Sequence, residues 1–478
     1  MKQSVDLNVF LNPASVAVIG ASEKPSSWGS FIMKGLLSHD YPGRIYPVNP
    51  NFNNVYGLKA YKDIRDIEAP VNLAVLTIPE KIIEKIMRAC GQKGVTGVTI
   101  ITAGFSEIYE QGKSREKALA DLAHSFGMRL LGPNISGTFN LHTHFVAAAA
   151  TGKTMLPTSL AGVCQGGYAF YDLLTAGCPR GMGVGKFIHT GNECDLTITD
   201  FLEHFGQDPE VEAILMYLET IRDSRRFIDV ARKVTLRKPV VVYKAGKNPA
   251  AARAAGSHTG AMAGRKETFQ GLLRQSGIIN SPSMELLLPL GHALVERPPM
   301  QGRNVAIITV GGSWGVALTD SLEDAGLHVP ELNMKVQKNL RELGLLPRAS
   351  AKNPVDIGAS GFAFDYEKLK SMAREILLSD EVDALILHGI GRAGMHNEDT
   401  QDVMKLFLEI EKKIILEISD LEQETGIPVL IGNHFTPWES QAVADLNNQG
   451  LRTYNRLDDI AQILALMYEH WRMKQARI

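Results

Sequence analysis

The run Val16-Ala17-Val18-Ile19-Gly20-Ala21-Ser22 decides the fold. A short apolar stretch ends in small residues, and the chain then turns into a helical pattern. An apolar run of this length, bounded by turn residues, reads as a buried strand, and the residues after it as a strand-to-helix loop. The unit then repeats. Strand-length runs at Val16–Ile19, Arg44–Val48, Leu73–Ile78, Val95–Thr102 and Arg129–Leu131 are separated by amphipathic segments such as Glu80–Cys90 and Ser114–Ser125. A second series comprises Leu160–Cys164, Val184–Ile188, Ala213–Leu218, Pro239–Tyr243 and Gly277–Ile279. A third comprises Asn304–Ile308, Ala384–Leu387, Pro428–Ile431 and Arg452–Tyr454. Each series opens with a strand, a small-residue loop and a helix. The three loops are Gly20-Ala21-Ser22, Gln165-Gly166-Gly167 and Gly311-Gly312-Ser313. This β-α-β alternation predicts an α/β protein with parallel sheets covered by helices on both faces.

A chain of 478 residues suits roughly three domains of about 150 residues each. Gly, Pro and Thr cluster near 145–158 and 297–303, which sets expected domains at 1–145, 155–297 and 303–470. The net charge of −2 comes without a basic block, so nucleic acid is not expected as a partner. No apolar run reaches the roughly 18 residues of a membrane span, and the start, MKQSVDLNVF, lacks the apolar core of a signal peptide. Cys90, Cys164, Cys178 and Cys194 show no CxxC spacing. They read as reduced thiols of a cytoplasmic protein, with no disulfide or metal site expected.

Ligands of parallel sheets bind at the carboxyl ends of the strands. In the first series those ends carry Gly20-Ala21-Ser22, Asn49-Pro50, Ile78-Pro79, Thr102-Ala103-Gly104-Phe105 and Gly132-Pro133-Asn134. Converging on one edge, such loops fit an adenine nucleotide carrier; they also fit ordinary connections, in which Gly and Pro are common. The full GxGxxG fingerprint is absent. In the second series, Gln165-Gly166-Gly167 precedes a helix starting near Tyr168, and free N–H groups there suit a phosphate. The next strand runs into His189-Thr190-Gly191-Asn192, and the one after that into Tyr217-Leu218-Glu219. Glu219 is either the edge of a sheet or a carboxylate that accepts an imidazole N–H and leaves the other nitrogen nucleophilic.

The imidazole in question is His258, in Gly256-Ser257-His258-Thr259-Gly260-Ala261-Met262-Ala263-Gly264. Small residues cannot bury the ring, and the loop can move. Lys244, Lys247 and Arg253 lie just upstream, a cationic setting that suits phosphate chemistry. The alternative is a surface turn that carries a histidine. His189 is a rival nucleophile, closer to its strand and with less room to move.

Taken in order, VIGAS (18–22), GPN (132–134), YLE (217–219), GSHTGAMAG (256–264) and NPVDI (353–357) resemble the α subunit of ADP-forming acyl-CoA synthetases, in the succinyl-CoA synthetase superfamily. The resemblance runs over essentially the whole chain. It implies a Rossmann-like CoA-binding domain followed by two flavodoxin-like domains. It also implies a reversible reaction in which acyl-CoA, phosphate and ADP give the free acid, CoA and ATP through an acyl phosphate and a phosphohistidine. By this resemblance His258 is phosphorylated and Glu219 steadies it. CoA falls to Gly20, Ala21, Ser22, Asn49, Pro50, Ile78, Pro79, Thr102, Ala103, Gly104, Phe105 and Asn134. Phosphate and substrate fall to Gln165, Gly166, Gly167, Gly191, Asn192, Gly311, Gly312 and Ser313.

Two departures stand out. The family usually has Ser-Gln-Ser-Gly where this chain has Cys164-Gln165-Gly166-Gly167, and Gly-Gly-Pro-Gly where it has Gly311-Gly312-Ser313-Trp314-Gly315. Trp314 either reshapes substrate choice or packs in the core. No segment resembles an ATP-grasp domain, and Thr151-Gly152-Lys153-Thr154 lacks the leading glycine of a P-loop. The nucleotide half is therefore expected on a separate ATP-grasp β subunit, holding Mg and ADP or ATP, in an α2β2 heterotetramer. A CoA-binding regulatory chain without turnover is the alternative; a nucleotide-dependent oxidoreductase is disfavoured by the missing GxGxxG.

Overall fold

In the computed structural model, residues 6–108, 111–149, 155–248, 250–251, 266–357, 366–389 and 401–477 are described. The first sheet holds β1 (Ser15–Ile19), β2 (Arg44–Val48), β5 (Leu73–Leu76), β6 (Gly97–Ile100) and β7 (Arg129–Leu131), all parallel, in the order β2-β1-β5-β6-β7. A small hairpin, β3 (Asn54–Val55) and β4 (Leu58–Lys59), stands apart. All five residues of β1 are buried, as expected for a central strand covered on both faces. Three helices connect the strands: α1 (Trp28–Ser38), α2 (Ile83–Lys93) and α3 (Gly112–Ser125). The Ser27 side chain accepts the Ser30 N–H and starts α1. Gly94, at φ +83°, ends α2 by returning its N–H to the last carbonyls. The expected helix at 80–90 opens as a 3-10 turn, Glu80–Ile82, before α2 proper.

The second sheet contains β8 (Gly137–Asn140), β9 (Phe145–Ala148), β10 (Leu160–Cys164), β11 (Lys186–His189), β12 (Ala213–Leu218), β13 (Val240–Lys244) and β14 (Ile279–Asn280), in the order β14-β13-β12-β10-β11-β8-β9. β10 to β14 are parallel, and the β8–β9 hairpin adds antiparallel to β11. Residues 137–148 thus belong to the second sheet, ahead of the boundary expected at 145. The stacked rings of Phe139 and Phe187, 5.2 Å apart, fasten the hairpin there. Helices α4 (Gly167–Gly177), α5 (Ile198–Gln207) and α6 (Ser224–Thr235) follow β10, β11 and β12.

The third sheet, β16-β15-β17-β18-β19, is parallel throughout: β15 (Val305–Thr309), β16 (Val355–Asp356), β17 (Ala384–His388), β18 (Val429–Gly432) and β19 (Thr453–Tyr454).

Two units result. The first, Met1–Thr175 with Gly183–Leu287, carries the first two sheets; the second, Ala176–Met182 with Leu288–Ile478, carries the third. In the first unit one apolar core runs from Val16, Val18, Ile32 and Leu36 to Val163, Ile188, Phe201 and Met216. A second covers the other face of the first sheet through Ala17, Leu76, Met87 and Ile100. Each fully buried Leu, Ile or Phe contributes about 1.5–3 kcal/mol relative to exposure.

Numbered by order of appearance within each sheet's five parallel strands, all three sheets read 2-1-3-4-5, a doubly wound order with its reversal between strands 1 and 3. That reversal falls between β1 and β5, between β10 and β12, and between β15 and β17. Among the described residues no helix is long and apolar enough to cross a membrane, and no group of three or more His, Cys, Asp or Glu side chains is placed to hold a metal ion. The four cysteines are free, and burial pushes the Cys90 thiol up to about 12.

Candidate functional site

At the switch point of the second sheet, β10 ends at Cys164 and β12 at Leu218, so Gln165 and Glu219 leave adjacent strand ends. The Gln165 side chain ties them together. Its Oε1 accepts the Glu219 N–H at 2.6 Å and the Thr220 N–H at 3.0 Å, and its Nε2 donates to the Thr220 carbonyl at 3.0 Å. Gln165 is buried and its amide is spent on this clamp. Its place in the site is therefore to hold Glu219. The Tyr217 hydroxyl donates to Glu219 Oε1 over 3.4 Å. A Cβ on Gly166 would lie 2.9 Å from the Tyr217 ring and 3.3 Å from Glu219 Oε1, so glycine lets the turn lie against both.

Glu219 faces a cavity of about 660 Å³ within the first unit. Its walls are Gly166, Gly167 and Tyr168 at the start of α4, Tyr217 and Glu219, Tyr243 with Ala245 and Gly246, and, from the first-sheet side, Trp28, Ala103, Asn134 and Ser136. The first N–H groups of α4 have no partner within the helix, a general feature of helix starts that favours negative charge. Ala251 also lines the cavity. His258 and Arg253 lie outside the described residues, as does 151–154. Lys244 is buried over the Phe269 ring at 5.2 Å, and desolvation lowers its ammonium pKa, opposed by the Glu219 charge. Lys247 Nζ lies 4.4 Å from the centre of the Tyr243 ring.

His189 is held by both ring nitrogens. Nδ1 accepts the Ser136 N–H at 2.7 Å, and Nε2 donates to the Gln165 carbonyl at 3.0 Å. This fixes a neutral ring with its proton on Nε2 and leaves neither nitrogen to attack a phosphoryl group.

The residues assigned to CoA lie along the carboxyl edge of the first sheet. Gly20 turns at φ +92°, the Ala21 carbonyl accepts Asn49 Nδ2 at 2.9 Å, and Ser22 Oγ accepts the Lys24 N–H at 3.0 Å. Thr102 Oγ1 donates to the Ile78 carbonyl at 2.6 Å, while Pro50, Pro79 and Ala103 are exposed. The N–H groups of Gly104 and Phe105 both turn to Glu107 Oε1, and the Phe105 ring is buried in the core. Ala103 and Asn134 alone of this set reach the cavity.

Gly191 and Asn192 do not line it. Asn192 is a buried strut: Nδ2 donates to Glu107 Oε2 at 2.5 Å and Glu116 Oε1 at 2.7 Å, and Oδ1 accepts Asn134 Nδ2 at 3.2 Å. Next to it Glu193 is buried, accepts from Thr190 Oγ1 and the Ile198 N–H, both at 2.9 Å, and has its pKa raised to about 7 by burial.

In the second unit, Gly311 caps the helix Gly312–Asp324, and a Cβ on Gly312 would lie 2.7 Å from Asp356 Oδ2. A carboxylate therefore already faces that helix start. Trp314 is 42% exposed and packs on the His434 ring with centroids 3.6 Å apart. His388, at the switch point, is buried 4.7 Å from His434, and burial with that neighbour lowers its pKa to about 4.

Comparison with known proteins follows the same layout. The profile of a CoA binding domain matches residues 14–138, and that of a succinyl-CoA ligase-like flavodoxin domain matches 157–294. The α subunit of ADP-forming acetate–CoA ligase II from Pyrococcus furiosus is 36% identical over 95% of this chain and 96% of its own. That of isoenzyme I is 34% identical over 98% and 99%. The acetyl-CoA synthetase 1 of Ca. Korarchaeum cryptofilum, solved with phosphate and ADP, superposes with a TM-score of 0.85 at 32% identity, covering 98% of each chain. The chain belongs to the ADP-forming acyl-CoA synthetases, as an α-subunit chain.

The turn Cys164–Gly167 of this synthetase chain carries no side-chain hydroxyl. The Cys164 thiol points to the Gly166 carbonyl, 2.6 Å away, and burial raises its pKa far above the ordinary range. The departure at Trp314 forms the ring stack with His434 rather than a core contact. Tyr217 is legible in the synthetase sequence as part of the run into Glu219, whereas Ser136, His388 and His434 go unmarked as members of these edges. Each lies far in sequence from the loop it meets, and no local spacing marks it.

Proposed function

We propose that this chain is the acid–thiol ligase half of an ADP-forming acyl-CoA synthetase and works through a phosphohistidine at His258. The observation that carries this reading is the cavity at the second switch point. The Glu219 carboxylate, the α4 start and Ala251, seven residues before His258 in the sequence, line it together. CoA takes the carboxyl edge of the first sheet, with Gly20, Ser22, Asn49, Pro79 and Gly104 around its phosphates and Ala103 and Asn134 admitting the thiol end to the cavity. Phosphate at the α4 start attacks the thioester carbonyl; the C–S bond breaks and CoA leaves as the thiolate, which takes a proton. One His258 nitrogen then attacks phosphorus, the acyl-oxygen–phosphorus bond breaks and the carboxylate leaves. Glu219 accepts the opposite ring N–H and stabilises the charge that develops on the ring.

Domains at 1–145, 155–297 and 303–470 divide these tasks, and Gly311–Ser313 form the matching strand-to-helix loop of the third. The final transfer to ADP needs a nucleotide site, which we assign with its Mg to an ATP-grasp β subunit in an α2β2 assembly in the cytoplasm. The test is ATP formation from acyl-CoA, phosphate and ADP by the chain alone and with an ATP-grasp partner. Turnover only with the partner is expected; full turnover by the chain alone contradicts the division of labour. A CoA-binding chain without turnover is the second reading, favoured by the hydroxyl-free turn at 164–167. It takes precedence if CoA binds but no acyl-CoA is consumed.

A further inference from the structure

The turn that starts α4 offers a phosphate no hydroxyl of its own. The Cys164 thiol is committed to the Gly166 carbonyl, the Gln165 amide to Glu219 and Thr220, and the other two residues are glycines. The Tyr217 hydroxyl is turned to Glu219. Yet one more hydroxyl reaches this spot from a different loop. Ser136 lies between β7 and β8, is 3% exposed, and lines the cavity beside Gly167. Its Oγ sits so close to the first residue of α4 that a Cβ on Gly167 would collide with it.

The bonding around Ser136 holds its hydroxyl hydrogen only by a long bond. Oγ lies 2.9 Å from His189 Nδ1 and donates to the Tyr171 hydroxyl over 3.4 Å, while Tyr171 Oη donates to the Ser136 carbonyl at 3.3 Å. The Nδ1 atom of a neutral ring has one lone pair, and the Ser136 N–H already takes it at 2.7 Å. The hydroxyl is therefore left with its long bond to Tyr171 Oη, and by rotating toward an anion at the helix start it exchanges that bond for a stronger, charge-assisted one. Its backbone is meanwhile fixed by the same ring and by Tyr171, so the oxygen is held in place before any ligand arrives.

We propose that Ser136 Oγ is a direct ligand of the phosphate at the α4 start, supplying from the β7–β8 loop the hydroxyl that the Cys164–Gly167 turn lacks. The proposal rests on reading this cavity as the phosphate site. It makes Ser136 a binding residue for inorganic phosphate and not for CoA, whose assigned residues lie on the first-sheet edge.

The experiment is titration calorimetry of inorganic phosphate, and separately of CoA, into the full chain and its Ser136→Ala, Ser136→Thr and Ser136→Cys variants. A hydrogen bond to a charged group predicts a loss of about ten-fold or more in phosphate affinity for Ser136→Ala. CoA affinity should stay within about two-fold. Ser136→Thr, which keeps the hydroxyl, should retain phosphate binding within about three-fold. If the alanine chain fails to fold, Ser136→Cys, similar in shape with a weak donor, should show the same selective loss. Unchanged phosphate affinity in the folded alanine variant overturns the proposal. So does equal loss in Ala and Thr, which would mark a packing role, and so does a wild-type chain that binds no phosphate. Phosphate binding that depends on Ser136 without any acyl-CoA-dependent turnover would refute the proposed reaction and leave the ligand assignment standing.

Discussion

Gln165 and Glu219 are joined across neighbouring strand ends: Gln165 Oε1 accepts the Glu219 N–H at 2.6 Å, while the same side chain brackets Thr220 from both sides. The carboxylate that faces the cavity is thus set by a residue that is not itself part of the cavity wall.

Gln165→Ala removes three hydrogen bonds and leaves the Glu219 and Thr220 amides without their acceptor. Buried amides left in this way cost about 1–3 kcal/mol. Urea unfolding should show a loss of that order. Phosphorylation should fall even where the fold is retained by low temperature. Gln165→Glu keeps the acceptors but sets a second carboxylate beside Glu219, and it should not restore activity.

Gly167→Ala drives a methyl into Ser136 Oγ and within 2.6 Å of the His189 ring. Overpacking of this kind costs about 1–3 kcal/mol. A drop of several degrees in melting temperature is expected, with weaker phosphate binding, because the α4 start must back away from its floor.

Glu193 gives the protein a pH signature. Its pKa stands at about 7 in the folded chain against an ordinary 4.5. Between those values the folded state keeps a proton that the unfolded state has released, so stability falls as pH rises through the window. Glu193→Gln removes the ionisation. Its stability relative to wild type should be flat near pH 4 and rise by roughly 1–3 kcal/mol toward pH 8. Denaturant unfolding at several pH values reads the difference, and a gain confined to low pH would contradict the assignment.

Much of the fold was legible. Runs such as Val16–Ile19 and Leu160–Cys164 are buried on both faces, and a continuous apolar run followed by small residues leaves few other interpretations. The β8–β9 hairpin was not legible, because GTFN and FVAA are too short to show a period, and their place is set by the distant Phe187 ring. At the site, Glu219 could be placed from the end of the run AILMYL. Asn192 followed the same logic, yet the structure pulls it toward Glu107 and Glu116, two carboxylates whose approach depends on how the first sheet meets the second. Ser136 follows the marked loop Gly132-Pro133-Asn134, yet nothing in the sequence around it points to Gly167.

The central claim is a phosphoryl group on His258. The direct measurement incubates the chain with acyl-CoA and radioactive phosphate, then maps the label by proteolysis and mass spectrometry. The account predicts an acid-labile, base-stable label on His258, absent in His258→Ala and weakened in Glu219→Gln, since an amide stabilises a charged ring less than a carboxylate does. Full labelling of His258→Ala, or a label on His189, would contradict it.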